Sequence, residues 1–480
     1  MLTTRGLFLV LSFALAGVAC DRSTTPAGDS GADDAAHDVG EIAPEVADAE
    51  PDVEEVRPDV EDVPVETDVP ADVVPDGEGP VEPHRETHEP FTVVWLSGTP
   101  REMGRQHGEL LHDELARGLA ESSYVGQIVS LVPIARLMGL IELARTQSYP
   151  DIVEECEGMV ETAGDVGWTM DLCLMVNFGD VLVESMPGKG AATPSDACSQ
   201  FVVAGEASAD GRLLHGRLLD WGMVDFLLWY PVIFVRQPSG GLAHVYVGFP
   251  GNLSPYSGMN VAGLSGASNE TDPASAAEHD RTGRSHVQML GQVLRTAHDL
   301  EEARAFILGE DHMSVEQLGI ADGPNRTAAA FEMTATRAAA RDLADGALFL
   351  TNHFVAPEMV DLDADPAGAS SLLRFDRLAQ LVPRDGAHTL YGTFDPAAAA
   401  GVLRDRVDPY TLAEVPVGTF DNDGSIATNG ALYAVVFDPE RLWFWAAAGT
   451  TPVPEQPLRG FSLGELLRLP GALPVVPAEL

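Results

Sequence analysis

A chain of 480 residues with 45% hydrophobic content is long enough for a sizeable core, and its net charge of −46 argues against nucleic acid as a partner. Its four cysteines form no CxxC pair, which excludes the usual zinc spacings, and neither a Gly-x-Ser-x-Gly elbow nor a phosphate-binding glycine loop occurs. No metal and no cofactor are expected.

The chain opens with Arg5 and an apolar run from Leu7 to Val18 that ends in small residues up to Ala19. This is the layout of a secretory signal, and it is too short to span a bilayer. Leu15-Ala16-Gly17-Val18-Ala19-Cys20 resembles a lipobox, although Gly17 stands where leucine is usual. Residues 1–19 are therefore expected to be a signal peptide, with lipid attached to Cys20 after cleavage; an ordinary secreted form with an unmodified Cys20 is the alternative. The expected location is outside the cytoplasm, lipid-anchored to a bacterial cell membrane or outer membrane.

From residue 20 to residue 89 the chain consists of Pro, Asp, Glu and Val in loose repeats such as Pro51-Asp52-Val53 and Pro58-Asp59-Val60. Such a segment cannot bury enough apolar surface to offset chain entropy, and it carries roughly 20 of the 46 net negative charges. Prolines and self-repulsion make it an extended, disordered tether. His84 and His88 fall within it without a third ligand, so no metal site is expected there.

Ordered sequence is expected from residue 90, beginning with a strand at Phe91-Thr92-Val93-Val94-Trp95-Leu96. Helical periodicity follows at Met103, His107, Leu110, Leu111, Leu115 and Leu119, then in a helix from about Val125 to Leu143 and another from Pro150 to Ala163. Residues 90–197 thus read as a mostly helical segment. Within it, Cys156 and Cys173 either pair in an oxidising compartment or are buried thiols. The segment ends in a loop of helix breakers from Pro187 to Asp196.

After that loop the pattern changes to strands and tight turns. Ser199–Gly205 and Leu213–Leu219 read as strands joined by a turn at Ala209-Asp210-Gly211-Arg212, and Val232–Arg236 with Ala243–Val247 as a second hairpin. A long amphipathic helix from Ser285 to Leu308 precedes strands near Leu318–Ile320, Ala328–Met333 and Ala347–Leu350, and the chain closes on a hairpin of Ala431–Phe437 and Leu442–Ala448. Helices and antiparallel strands in blocks predict an α+β layered domain. Asp421-Asn422-Asp423-Gly424 reads as a turn in preference to a calcium loop.

Cys198 stands at the border between the breaker loop and the first of these strands. The run Cys198-Ser199-Gln200-Phe201-Val202-Val203-Ala204-Gly205, then Asp210-Gly211-Arg212 and His215-Gly216-Arg217-Leu218-Leu219-Asp220-Trp221, resembles the nucleophile hairpin of the penicillin acyltransferase-like (isopenicillin N acyltransferase-like) and choloylglycine hydrolase-like cysteine enzymes. Further on, Met259-Asn260-Val261-Ala262-Gly263-Leu264 with Ser268-Asn269-Glu270, Leu350-Thr351-Asn352-His353-Phe354 and Ser370-Ser371-Leu372-Leu373-Arg374-Phe375 resemble segments of the same families, in the same order. The resemblance covers about residues 91–450.

The resemblance implies a self-processing N-terminal-nucleophile (Ntn) hydrolase. Its fold would be an αββα four-layer sandwich preceded by the helical pro-segment. The precursor would cut itself between Ala197 and Cys198, leaving fragments 90–197 and 198–480 associated. The implied catalytic residues are Cys198, Arg217, Asp220, Asn352 and Arg374, with Asn269 as an oxyanion candidate. A terminal α-amine, with a reference pKa of about 7.7 to 8.0, can take the thiol proton without a histidine, and a nearby guanidinium favours the thiolate. The expected activity is hydrolysis of a small-molecule, non-peptide or linear amide, or acyl transfer from it, through a Cys198 thioester. A phospholipase B-like ester hydrolase and a catalytically silent surface-binding lipoprotein are the rival readings. Arg217 and Asp220 have odd spacing on a strand, which puts them on opposite faces unless one lies past the strand end.

Overall fold

The computed structural model describes residues 79–179, 198–221, 224–364, 369–417 and 424–480. The signal peptide, Cys20, most of the tether, the breaker loop and Asp421–Asp423 lie outside the described residues.

Strand β1 (His84–His88) pairs antiparallel with β2 (Phe91–Gly98). The tether expectation therefore runs too far by this strand. Its acidic and histidine side chains read as solvated chain, yet its backbone completes a sheet edge, and His84 stacks on Trp95 with ring centroids 4.1 Å apart. At the end of β2, Thr99 and Glu102 form a capping box that starts α1 (Pro100–Leu110). Helices α2 (His112–Glu121), α3 (Ser123–Leu137), α4 (Leu140–Gln147), α5 (Pro150–Ala163) and α6 (Met170–Phe178) follow. The single helix expected over Val125–Leu143 is broken at Gly139, whose φ of 73° is left-handed, and α3 and α4 meet at 93°. Cys156 on α5 and Cys173 on α6 form a disulfide, which resolves the two alternatives for that pair.

The hairpin of β3 (Ser199–Gly205) and β4 (Gly211–Asp220) comes next, then α7 (Asp225–Trp229), β5 (Val232–Pro238), β6 (His244–Gly248), β7 (Ser257–Asn260) and β8 (Leu264–Asn269). The long helix expected over Ser285–Leu308 is two, α8 (His286–Thr296) and α9 (Leu300–Gly309), because Asp299 takes an extended backbone and caps α9 by accepting from Glu302 N. Strands β9 (Glu316–Asp322), β10 (Thr327–Met333), β11 (Ala338–Asp342) and β12 (Ala347–Leu350) lead to α10 (Ala369–Leu381) and α11 (Pro396–Leu403). The chain ends with β13 (Ala431–Asp438), β14 (Trp443–Ala448), β15 (Arg459–Ser462) and α12 (Leu463–Leu466).

Among the described residues these strands form two sheets, a nine-stranded one in the order β1-β2-β5-β6-β7-β8-β9-β10-β11 and a six-stranded one in the order β12-β3-β4-β13-β14-β15. Only the β2–β5 contact is parallel, so the segment before Cys198 is built into the larger sheet as well as supplying helices.

Alternating apolar positions set the layers. Val202, Ala204 and Leu213 of the smaller sheet pack against Ala321, Ala328 and Ala330 of the larger one, and these small side chains let the sheets approach. On the outer face of the larger sheet, Leu318, Ile320 and Phe331 meet Leu290, Leu294 and Ile307 of α8 and α9, while Val94 and Phe234 meet Met103 of α1. On the outer face of the smaller sheet, Phe201, Leu214, Leu218 and Val436 meet Leu378 of α10 and Val402 of α11. The order is helix, sheet, sheet, helix. Within the hairpin, Phe201 lies over Gly216, where an added Cβ would run into the ring. Burial of such a side chain contributes about 1.5 to 3 kcal/mol.

Candidate active site

Cys198 immediately precedes β3, 3% exposed, with its side chain between the layers. Opposite it, β4 runs antiparallel with Ser199 facing Leu218 and Gln200 facing Arg217. This register brings Arg217 to the thiol. Arg217 Nη2 donates to Cys198 Sγ at 3.1 Å and to Ser268 O at 2.6 Å, and Nη1 donates to Leu218 O at 2.6 Å. Arg217 is fully buried, and its Nε hydrogen has no acceptor among the described residues. A guanidinium beside sulfur favours a negative charge there.

Asp220 is the last residue of β4, still within the strand, and the ladder to β13 shifts register beside it between Ala431 and Tyr433. Its backbone oxygen lies 3.5 Å from Cys198 Sγ and accepts the thiol hydrogen. Its carboxylate sits against Gly430, where a Cβ would lie 2.8 Å from Oδ1.

Asn352 follows the end of β12, the strand paired with β3. Its backbone N donates to Ser371 Oγ at 2.7 Å, and its Nδ2 donates to Glu270 O at 2.8 Å. Arg374, fully buried on α10, joins Asn352 to Cys198. Its Nη2 donates to Asn352 Oδ1 at 2.9 Å, and its Nη1 donates to the backbone oxygen of Cys198 and to Ser199 Oγ, the latter at 3.0 Å. Thus Cys198, Arg217, Asp220, Asn352 and Arg374 converge at one end of the inter-sheet space.

Asn269 has a different position in the network. Its Nδ2 donates to Thr351 O at 2.9 Å, and its Oδ1 accepts from Gln200 Nε2 at 2.9 Å, so it ties β8 to the strand end that carries Asn352. The tie continues deeper. Gln200 Oε1 accepts from His215 Nε2 at 3.2 Å, and since an amide oxygen cannot donate, His215 Nδ1 accepts from Ser265 Oγ at 3.0 Å. Burial, reinforced by Arg217, lowers the His215 imidazole to about 3. It is therefore neutral at physiological pH, a fixed polar link between the sheets.

Gln200, His215, Ser265 and Ser371 carry site geometry yet have no role assigned by sequence motif. For Gln200, His215 and Ser265 the signal is a polar side chain at a strand position that points inward, whereas Ser371 is a buried hydroxyl in the first turn of α10. Tyr433 is a further case. Its hydroxyl lies 2.7 Å from Ser257 Oγ across the sheets, and burial pushes the phenol up to about 12 despite the nearby Arg217 guanidinium. Beside Asp220, the ring of Trp221 lies 5.2 Å from that of Tyr256 and 5.8 Å from that of Tyr124, forming an aromatic wall. No group of three or more His, Cys, Asp or Glu side chains among the described residues is arranged to hold a metal ion.

No protein-family model matches the chain. An uncharacterised protein of Archaeoglobus fulgidus is 25% identical over 401 residues, which cover 74% of this chain and 63% of that protein. The chain thus spans less than two thirds of the length of this relative. Among solved structures, a Caenorhabditis elegans orthologue of N-acylethanolamine-hydrolyzing acid amidase is 17% identical with a TM-score of 0.36, covering 51% of this chain and 93% of its own. A mutant form of the conjugated bile acid hydrolase of Clostridium perfringens is 13% identical with a TM-score of 0.36, covering 56% and 93%. Penicillin V acylase from Agrobacterium tumefaciens is 16% identical with a TM-score of 0.33, covering 53% and 84%.

Proposed function

We propose that this protein is a cysteine Ntn amidohydrolase that cleaves a non-peptide amide through a Cys198 thioester. The observation that carries the reading is the placement of Arg217 Nη2 at 3.1 Å from Cys198 Sγ at the head of β3. The segments quoted above from residue 198 to residue 375, which resemble those of the penicillin acyltransferase-like enzymes, support it.

In this reading the chain cuts itself between Ala197 and Cys198, and the freed α-amine takes the thiol proton. The thiolate, held by Arg217, attacks the substrate carbonyl carbon. A carbon–sulfur bond forms as the carbonyl π pair moves to oxygen, and that oxygen accepts the remaining amide hydrogen of Asn352. Collapse of the intermediate breaks the carbon–nitrogen bond, and the proton on the α-amine passes to the leaving amine. Water then attacks the thioester carbonyl, giving a proton to the α-amine, and collapse of this second intermediate breaks the carbon–sulfur bond, returning the Cys198 thiolate and releasing a carboxylic acid; an acceptor amine in place of water gives acyl transfer. Arg374 keeps Cys198 and Asn352 in fixed relation through both steps. The aromatic wall of Trp221, Tyr256 and Tyr124 suits an apolar acyl group.

The same proposal includes export and a lipid on Cys20, with the acidic segment as a spacer from the membrane. The Cys156–Cys173 disulfide supports an oxidising compartment.

Intact mass spectrometry of purified protein, combined with turnover of a panel of acyl amides and esters, tests the reading. Two associated fragments are expected, the larger beginning Cys198-Ser199-Gln200, with amide turnover that Cys198→Ala abolishes along with the cut. A single chain with full activity, or turnover confined to esters, overturns it.

A further inference from the structure

We infer that Asp363 is a positioning residue for Asn352 and acts as the neutral carboxylic acid, through the hydroxyl of Thr271. The inference rests on the proposed role of Asn352 at the oxyanion.

The argument is a count of hydrogens. Thr271 Oγ1 lies 3.1 Å from Asn352 O and 3.1 Å from Asp363 Oδ1. A hydroxyl has one hydrogen to donate, and a backbone oxygen has none. If Asp363 is ionised, two acceptors compete for that hydrogen, and the loser is buried, since Thr271 and Asn352 are each 2% exposed and Asp363 is 7% exposed. If Asp363 carries a proton on Oδ1, the conflict disappears. Asp363 donates to Thr271, and Thr271 donates to Asn352 O. Oδ1 shares the Ala364 N hydrogen, at 2.9 Å, with Asp272 O, and Oδ2 accepts from Phe354 N at 2.7 Å, two residues beyond Asn352. The acid form supplies a hydrogen to both oxygen contacts of Thr271 Oγ1, whereas the ionised form leaves one of them without.

The surroundings favour the acid. Asp363 forms no ion pair among the described residues. Asp272 lies on the segment paired with it, through Ala364 N to Asp272 O at 2.9 Å. On β10, Glu332 receives Val355 N and Ala356 N and is paired with Arg341 of β11. The Arg337–Asp361 pair lies on the outside of the loop, His353 is held neutral by burial, and Arg374 of α10 is bound to Asn352. Burial raises the Asp363 carboxyl to about 6, against the hydrogen bonds from Phe354, Thr271 and Ala364. Asn352 is then held by the full relay in mildly acidic conditions and by a broken one above them.

Two measurements test this. The first is kcat against pH for processed enzyme on an acyl amide that the parent turns over. The parent profile should fall as pH rises through about 6. Thr271→Val removes the relay hydroxyl and should lower kcat at pH 5 about tenfold or more while abolishing that limb, with KM little changed, and Thr271→Ser should restore both. Asp363→Asn should also abolish the limb. A limb retained in both Thr271→Val and Asp363→Asn overturns the inference, because a merely structural role lowers the whole profile without reshaping it.

The second measurement needs no turnover. A carboxyl raised in the fold binds a proton that the unfolded chain has already lost, so stability falls as pH rises from about 4 to about 6. The melting temperature of the parent should therefore drop across this window relative to that of Asp363→Asn. If that difference appears but no acyl amide is turned over, the amidohydrolase reading fails and the assignment of the proton is supported. A difference that does not change with pH overturns the inference, whatever the turnover.

Discussion

Arg374 and Asn352 are joined by a charge-assisted hydrogen bond of 2.9 Å, and the same guanidinium holds the backbone oxygen of Cys198. One planar group thereby fixes the distance between the proposed nucleophile and the amide proposed to receive the oxyanion. Two loops 154 residues apart in sequence, at Cys198 and Asn352, are locked by a residue on a helix beyond both.

Replacing Arg374 by Lys keeps the charge and loses the fork, so one of the two oxygens is left without a donor. Each buried acceptor stranded in this way costs about 1 to 3 kcal/mol. Arg374→Lys should melt well below the parent and lose most of its turnover even where it remains folded. Equal melting temperature and rate would detach Arg374 from the site.

Asn352→Ala removes the amide proposed to receive the oxyanion and should cost about 2.7 to 4 kcal/mol of transition-state stabilisation, roughly a hundredfold to thousandfold in rate. Because Asn352 Oδ1 also receives Arg374 Nη2, the variant should lose some stability as well. Rates measured below the onset of its unfolding separate the two effects. A variant that keeps more than about a third of the parent rate removes Asn352 from the reaction, since that loss is under about 1 kcal/mol.

His107, His215 and His244 are each lowered to about 3, in every case mainly by burial and secondarily by a nearby arginine. In the unfolded chain these rings take up protons near 6.5, while the fold refuses them until about 3. Stability is therefore full above about 6.5 and is lost as pH falls, at up to about 1.4 kcal/mol per histidine for each pH unit below that value. Denaturant midpoints measured from pH 7 to pH 4 should fall steeply, and His215→Gln should make the fall shallower. A flat profile would mean that the three rings titrate normally.

The Cys156–Cys173 disulfide closes a loop with a sequence separation of 17 and ties α5 to α6, the helix that leads toward the segment before Cys198. A loop of this size corresponds to about 3 kcal/mol. Cys156→Ser with Cys173→Ser should lower the melting temperature by several degrees and slow the cut before Cys198. Unchanged stability together with unchanged processing would show that the bond has neither effect.

Cys20→Ser should move the protein from the membrane fraction of its host to the soluble fraction, because the proposed anchor is a lipid on that sulfur. A variant that sediments with membranes as fully as the parent would mean that something other than Cys20 holds it there.

Local sequence determined the nucleophile hairpin. Arg217 and Asp220 lie on β4 and Cys198 immediately precedes its partner β3, and a tight turn with alternating apolar residues leaves one register open to them. The capping box at Thr99, the strand at Phe91 and the disorder-prone composition before residue 79 are equally local properties of the chain. Tertiary structure alone decided how the rest converges. Gln200 meets Asn269 across 69 positions, Arg374 meets Cys198 across 176, and Tyr433 meets Ser257 across 176, and nothing in either partner's neighbourhood specifies the other. The breaks at Gly139 and Asp299 have local causes, a left-handed glycine and an N-cap, but the apolar periodicity continues on both sides and conceals them. The protonation of Asp363 belongs with the long-range contacts. A carboxylate becomes an acid only when burial and competing acceptors surround it, and those neighbours come from chain segments that meet in the folded protein.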